Sequence, residues 1–144
     1  MIEGVVIKEL TTYSDERGFF REIFRIREEE IDMGQLSHSL VKQGVVKAWH
    51  GHKKQTQWNY VVCGQIKVAL HDSRPKSKTY RQTMEFIIDE NEPPKAYFFP
   101  VGVLHGYQCV RGPMHIIYLT SGTYDPLEEV KMNLDDPTIG YNWK

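Results

Sequence analysis

From Gly44 onward the chain is a series of short apolar runs separated by brief polar stretches, and this pattern constrains the fold more than any other feature. The runs GVVKAWH, QWNYVVCG, QIKVALHD, AYFFP and MHIIYLTSG are rich in β-branched and aromatic residues, as β-strands are. Breaks recur about every 8–12 residues, which is typical of an all-β sandwich or barrel. We expect a hairpin turn at residues 63–65 (CGQ) and a further break at Gly112-Pro113.

The N-terminal third carries weaker strand signals. Residues 2–10 and 35–43 alternate and predict strands. Residues 19–27 also alternate, but the segment REEEI that begins at their end favours a short helix. At the other end of the chain, the aromatic residues Tyr141 and Trp143 are expected to pack back on the barrel.

Length and composition predict one ordinary globular domain spanning residues 1–144. Apolar residues make up 40% of the chain, charged residues 26%, and the formal net charge is −1, so no nucleic-acid or membrane partner is predicted. The first ten residues contain charges and no apolar core of a signal peptide, and we expect a cytoplasmic protein. Cys63 and Cys109 have no disulfide-framework spacing and are expected to be reduced thiols.

Two spaced motifs contain the candidate functional residues. The first reads G-x5-H-x-H-x4-Q-x6-G over residues 44–64, and the second reads P-x-G-x2-H and ends at His105. Residues two apart in a strand point to the same face, so His50 and His52 are predicted to project together into the barrel. His105, after a Pro/Gly turn, is placed to meet them from the opposite wall.

These two motifs resemble those of the cupin superfamily, which implies a cupin-type double-stranded β-helix, a jelly-roll barrel with few short helices. Three imidazoles can ligate a divalent transition metal. However, Gln57 stands where the metal-binding version has Glu, and a carboxamide is an uncharged and weaker ligand. We therefore predict no metal and no other cofactor, and keep a metal-dependent cupin enzyme as an alternative.

Five further segments narrow the resemblance. Residues 15–22 resemble D-x-R-G-x-F-x-E, and residues 44–50 resemble G-V-x-R-G-L-H. Residues 101–107 resemble G-F-A-H-G-F, residues 116–126 resemble F-L-Y-K-x4-Y-x-P, and residues 135–143 resemble the closing motif W-x-D-P-x3-I-x-W. Together they are similar, in register, to the dTDP-4-dehydrorhamnose 3,5-epimerase family.

The chemistry of such an epimerase sets its requirements. Inverting a carbon next to the ketone of a 4-keto sugar needs a base on one face, an acid on the other, and a partner for the enolate oxygen. By position the resemblance implies that His50 is the base and Tyr118 the opposing acid. It places His105 in the pocket near the sugar.

The resemblance also implies a set of substrate-binding residues and a subunit arrangement. Arg17 and Glu22 match an N-terminal segment that reaches into a neighbouring subunit and helps to hold the nucleotide, and Phe20 would lie beside the nucleobase. Gln35 and Gln57 are further substrate-binding candidates. We therefore expect a homodimer that binds a nucleotide-linked sugar, with dTDP as the expected nucleotide.

Three features differ from the epimerase pattern. Lys47 stands where the family has Arg, which keeps a charge but loses the bidentate fork. Asn59 stands where the family has Lys, which removes a charge near the enolate. Both stay among the predicted substrate-binding residues. The family orients its base with an Asp beyond the closing motif, and we expect no counterpart of it in a sequence that ends at Lys144.

A second resemblance fits those differences. Residues 50–54 followed by Gln57 are similar to the R-G-x-H-A-H-K-x3-Q segment of the dTDP-4-dehydro-6-deoxyglucose 3,4-ketoisomerases, in which two histidines shuttle protons on one face of the sugar. That resemblance makes His52 a third catalytic candidate beside His50 and Tyr118. An epimerase of a nucleotide-linked 4-keto-6-deoxy sugar is the first hypothesis and a ketoisomerase the second. A cupin that binds a sugar nucleotide without catalysis is a further alternative.

Overall fold

The computed structural model describes residues 1–26 and 33–144, except for the side chain of Met33. Within these ranges the chain forms β-strands and no helix, so no helix there could cross a membrane. The strands are β1 Val6–Glu9, β2 Thr12–Asp15, β3 Gly18–Arg21, β4 Met33–Val41, β5 Val46–His52, β6 Gln57–Asp72, β7 Thr83–Asp89, β8 Lys95–Phe99, β9 Val103–Ser121 and β10 Glu129–Lys131.

Strands β6 and β9 form the central antiparallel pair of the main sheet. The sheet has the order β1-β8-β6-β9-β5-β10, with β4 added to β9 and β7 added to β6. The first part of β6 pairs with β8 and with the last part of β9, which also pairs with β4. The last part of β6 pairs with β7 and with the first part of β9, which also pairs with β5. The two long strands therefore belong to both layers of the rolled sheet.

The predicted hairpin turn at residues 63–65 is wrong, because β6 runs through it. The register between β6 and β9 shifts at Cys63 and again at Gln65, and such irregularities bend a strand without ending it. Gly64 lies between them with φ +94°, and a Cβ there would lie 2.8 Å from the carbonyl oxygen of Arg111. Glycine is required at the bend, which the sequence pattern does not distinguish from a turn.

The predicted break at Gly112-Pro113 is also wrong, since β9 continues from Val103 to Ser121. The short helix predicted at residues 27–31 falls outside the described residues. The preceding residues confirm a strand only as far as Arg21, where β3 ends. The all-β architecture itself is confirmed.

Two apolar clusters lie on opposite faces of the same strands. Val68 and Leu70 of β6 are fully buried in the larger cluster, inside the rolled sheet. Ala69, between them, belongs to a second cluster outside the sheet, with Trp49 and Trp143. The rings of Trp49 and Trp143 lie 5.1 Å apart, with Tyr141 at 4.8 Å from Trp143. The prediction that the closing aromatic residues pack on the barrel is confirmed.

The connection from β6 to β7 is organised around one buried carboxylate. Asp72 is fully buried and accepts hydrogen bonds from the backbone and guanidinium of Arg74, from Ser77 Oγ and from Thr79 Oγ1. Burial alone would raise the pKa of Asp72, but these donors outweigh it and hold the pKa well below its usual value. A carboxyl of this kind stabilises the fold above its ordinary pKa, and that contribution is lost as the pH falls through the lower pKa of the folded state.

Replacing Asp72 by Asn is expected to lower the free energy of unfolding by about 2–4 kcal/mol at neutral pH, because charge-assisted bonds to Arg74 are lost. Urea unfolding from pH 7 to pH 3 should show the difference from wild type shrinking toward acid. Asp15→Asn, in an exposed pair with Arg17, is the control and should change the midpoint little. A constant difference down to pH 3 would contradict the assigned linkage.

Candidate active site

A pocket of about 290 Å³ opens inside the rolled sheet. It brings together eight of the predicted site residues, contributed by strands from both layers. They are Gln35, Lys47, His50, His52, Gln57, Asn59, His105 and Tyr118. Arg17, Phe20 and Glu22 do not line it.

The two histidines of β5 point into the pocket because the residue between them points out of it. A Cβ at Gly51 would lie 2.6 Å from Leu104 Cδ2 in the outer cluster, so a larger residue there would require that leucine to shift. His50 is paired in register with His105 of β9, with ring centroids 6.0 Å apart. The ring of His52 stacks at 5.6 Å from that of His105. The three imidazoles converge as predicted, but the expected opposite wall is wrong, because His105 lies on β9, the strand next to β5 in the same sheet.

His105 is the most enclosed of the three. Its ring stacks at 4.3 Å on Phe99, and its Nδ1 is buried with no hydrogen-bond partner in the described part of the chain. Burial first, and then the repulsion from His52 and His50 when these are protonated, hold the pKa of His105 well below its ordinary value. His105 is therefore a neutral wall of the pocket.

Two carboxylates that the sequence reasoning missed stand behind the other two histidines. Glu129 Oε1 accepts a hydrogen bond from His50 Nδ1 at 3.1 Å, and Glu128 Oε2 accepts one from His52 Nδ1 at 2.8 Å. Both carboxylates are placed by β10, three residues that pair antiparallel with β5. The two glutamates in succession, before the alternating residues Val130 to Met132, were the one available signal in a tail that otherwise indicates turns.

The carboxylate of Glu128 is the better enclosed of the two. Its residue is 4% exposed, and Oε1 accepts the backbone N–H groups of Lys54 at 2.8 Å and Gln55 at 2.7 Å. Burial raises the pKa of Glu128, but the bonds from His52, Lys54 and Gln55 more than offset it, and the pKa lies below the usual value. Glu128 is therefore ionised at neutral pH.

Tyr118 enters the pocket from the other layer. It lies in the last part of β9, in register with Ser37 of β4 and Asn59 of β6, whereas His50 pairs with the first part of β9. Tyr107, a second tyrosine of that strand, also lines the pocket, but burial raises its pKa to about 12. Tyr107 is thus a poor proton donor at neutral pH.

The amide side chains of the pocket are held by one another or by the chain. Gln57 Nε2 donates to Asn59 Oδ1 at 2.6 Å. Gln35 Oε1 accepts the backbone N–H of Tyr124 at 2.9 Å. Lys47 is the one lysine among the described lining residues.

A metal is not favoured by the arrangement. The part of the chain that the structure describes holds no group of three or more His, Cys, Asp or Glu side chains placed to bind one. Function without a metal stays a prediction.

The three remaining candidates lie on or just after the β2–β3 hairpin, a separate two-stranded sheet. Arg17 pairs with Asp15, and Glu22 Oε1 accepts from Arg25 Nε at 2.7 Å. Phe20 is 65% exposed and lies 6.3 Å from the ring of Tyr13. Arg17 and Phe20 line an open concavity of the hairpin itself.

Comparisons with known proteins found a matching family model and several relatives. The family model for dTDP-4-dehydrorhamnose 3,5-epimerase matches residues 1–144. The chain is 40% identical to the spore coat polysaccharide biosynthesis protein SpsL of Bacillus subtilis, over 99% of this chain and 97% of that protein. It is 30% identical to the dTDP-4-dehydrorhamnose 3,5-epimerase of Methanothermobacter thermautotrophicus, over 99% of this chain and 80% of that one.

A solved relative shows the same fold. The dTDP-6-deoxy-D-glucose-3,5-epimerase of Legionella pneumophila, in complex with dTDP-4-keto-L-rhamnose, superposes with a TM-score of 0.88 at 26% identity, over 99% of this chain and 79% of that one. The cupin jelly-roll fold predicted for this chain is thereby confirmed. With a family model matched from end to end, the chain belongs to the dTDP-4-dehydrorhamnose 3,5-epimerase family.

Proposed function

We propose that this enzyme epimerises a dTDP-linked 4-keto-6-deoxy sugar, with His50 as base and Tyr118 as acid. The observation that carries the proposal is the bond from His50 Nδ1 to Glu129. It fixes the proton on Nδ1, so Nε2 keeps its lone pair for the pocket. The choice of sugar rests on the family and on the ligand of the Legionella relative.

The proton transfers follow from the chemistry of the ketone. The C–H bond next to C4 breaks, its proton goes to His50 Nε2, and its electron pair forms a C=C bond as the C4 oxygen becomes an enolate. The Glu129 carboxylate stabilises the imidazolium that forms. Tyr118 then donates its phenolic proton to the opposite face of the carbon, and the imidazolium returns a proton to the tyrosinate through water. No redox step occurs.

The pocket wall contributes to holding the enolate. Lys47 supplies a positive charge among residues that line the pocket, and a cation close to a developing oxyanion lowers the barrier. Gln57 and Asn59 offer amide groups on the β6 wall. Asn59 is uncharged, so Lys47 is the proposed electrostatic partner of the enolate.

His50→Asn is expected to lower kcat/KM by about 10²–10⁴, because the general base is lost. Deuterium incorporation next to the ketone of dTDP-4-keto-6-deoxyglucose, followed by NMR in heavy water, measures the step. The control is His115→Asn, on the outer face of β9, where His115 bonds only to His38 in the described part of the chain. Wild-type exchange by the His50 variant would remove it as the base.

Tyr118→Phe should separate proton abstraction from inversion. The base still removes the proton, so deuterium incorporation should stay within about tenfold of wild type. The epimerised product should fall by about 10² or more, because no acid remains on the opposite face. Tyr107→Phe, from the same strand, should leave both rates near wild type. Equal loss of exchange and inversion in the Tyr118 variant would contradict its role as the acid.

A ketoisomerase is the second candidate, and the position of His52 favours it. His50 and His52 lie on one face of β5, and each has its own carboxylate. Two bases on one face suit the movement of a proton between adjacent carbons. Formation of a 3-keto product from dTDP-4-keto-6-deoxyglucose would establish this activity and overturn the epimerase proposal.

We propose that the chain acts as a homodimer in which the β2–β3 hairpin completes the partner's site. The hairpin exposes Tyr13, Phe19 and Phe20 by 63–65%, and none of them lines the pocket of its own subunit. The paired rings of Tyr13 and Phe20 suit contact with a nucleobase, and the exposed guanidinium of Arg17 suits a diphosphate.

We also propose a cytoplasmic location, which the free thiols of Cys63 and Cys109 support.

Arg17→Ala is expected to raise KM about 10-fold or more with kcat within twofold, because the residue binds nucleotide and does not touch the reacting carbons. Steady-state kinetics measure this, and light scattering should give twice the monomer mass. Lys76→Ala, an exposed cation in the connection between β6 and β7, is the control and should leave both constants near wild type. A monomeric wild-type enzyme with full activity would contradict the shared site.

A further inference from the structure

The pocket contains a second histidine–carboxylate pair that the proposed reaction with one base does not use. His52 Nδ1 lies 2.8 Å from Glu128 Oε2, shorter than the 3.1 Å of the His50–Glu129 pair. The His52 side chain is 14% exposed and lines the pocket, while the Glu128 side chain is 3% exposed. Burying a carboxylate costs desolvation free energy, which its hydrogen-bond donors must offset. Such a group is well suited to fixing the position of a partner, here His52.

The hydrogen-bond pattern of Glu128 assigns one tautomer to His52. Oε1 accepts the backbone N–H groups of Lys54 and Gln55, and only Oε2 faces the imidazole. An ionised carboxylate accepts and cannot donate, so Nδ1 of His52 carries the proton. The lone pair of a neutral His52 is then on Nε2, which makes no hydrogen bond to the protein in the described part of the chain.

The two pairs lie side by side. His50 and His52 are two residues apart on β5, a rise of about 6.6 Å, and the consecutive residues Glu128 and Glu129 reach them from the edge of the sheet. A 4-keto sugar has two acidic C–H groups, at C3 and C5, on either side of the ketone. A 3,5-epimerase must remove a proton from each of these carbons. A single base would therefore have to give up the first proton before it could accept the second.

We propose that His52 is a second general base, held in its working tautomer by Glu128, and that His50 and His52 each serve one of the two carbons that flank the ketone. The inference rests on the proposed epimerase function. At the carbon served by His52, the C–H bond breaks and its proton goes to His52 Nε2. The electron pair of that bond forms the C=C bond of the enolate. Tyr118 returns a proton to the opposite face, as in the His50 step. Glu128 is a positioning residue, since it acts through His52.

The substitution Glu128→Gln tests the tautomer directly. The Gln oxygen stays with the backbone N–H groups of Lys54 and Gln55, so the loop keeps its bonds. The Gln NH₂ group then faces His52 Nδ1 and forces that atom to accept, which moves the ring proton to Nε2 and abolishes the base. The nitrogen-15 shifts of the His52 ring should report Nδ1–H in wild type and Nε2–H in the variant.

Deuterium exchange measured separately at C3 and C5 tests whether each histidine serves one carbon. Wild-type enzyme with dTDP-4-keto-6-deoxyglucose in heavy water should incorporate deuterium at both C3 and C5. Glu128→Gln and His52→Asn should slow exchange at one carbon by about 10²-fold or more and leave the other within about threefold. Glu129→Gln and His50→Asn, matched changes in the neighbouring pair, should slow the other carbon.

The outcomes separate the two proposals. If the His50 variants lose deuterium exchange equally at C3 and C5, while Glu128→Gln and His52→Asn exchange normally, His52 is not a second base. The proposed epimerase function would still stand. No exchange at either carbon by wild-type enzyme would overturn the proposed function itself. An unfolding midpoint of Glu128→Gln near wild type, with exchange lost at one carbon, would exclude a merely structural role.

Discussion

The antiparallel pairing of β6 with β9 is the constraint on which the rest of the molecule depends. These strands pair from Gln57 with Thr120 to Asp72 with Val103, and the other strands of the main sheet are added to them directly or through a neighbour. The bend at Gly64 lets one pair of strands contribute to both layers. Because β9 spans both layers, His105 and Tyr118 of a single strand reach the pocket from its two sides.

The active-site carboxylates depend on a much smaller contact. Strand β10 has only three residues, and its pairing with β5 brings Glu129 beside His50. The tail after β10 packs Trp143 and Tyr141 against Trp49. That aromatic cluster buries apolar surface next to a short strand which would be marginal alone. The outer cluster therefore stabilises the geometry of the inner site, although none of its rings lines the pocket.

Local pattern and motif spacing were sufficient to predict the positions of the histidines. Period-two alternation placed His50 and His52 on one face, and motif spacing placed His105 near them. The partners of these histidines were not predictable, since Glu128 and Glu129 are 76 and 79 residues away and meet β5 through a non-local pairing. The family pattern places its orienting Asp beyond the closing motif, whereas these carboxylates lie before it.

The missed bend at Gly64 has a related physical reason. A glycine with positive φ serves a turn and a bulge equally well. What distinguishes them at Gly64 is the approach of Arg111 in a strand far along the chain. The nucleotide-binding candidates Arg17 and Phe20 present the opposite difficulty for sequence-based prediction. Their motif is local and recognisable, but the pocket that they are proposed to serve belongs to another copy of the chain.

Under the proposed mechanism, the charges of the pocket give a reason why the uncharged Asn59 can stand where the family has a cation. In the proposed mechanism each pair starts as a neutral imidazole beside a carboxylate, and so carries one negative charge. When the histidine takes a proton the pair becomes neutral and the enolate oxygen becomes negative, so the total charge of the pocket does not change. His105 stays neutral through burial and adds no positive charge that would oppose protonation of its neighbours. The proposed reaction then moves a negative charge from the carboxylate edge of the sheet toward the ketone, and Lys47, which lines the pocket from β5, is the cation proposed to favour that movement.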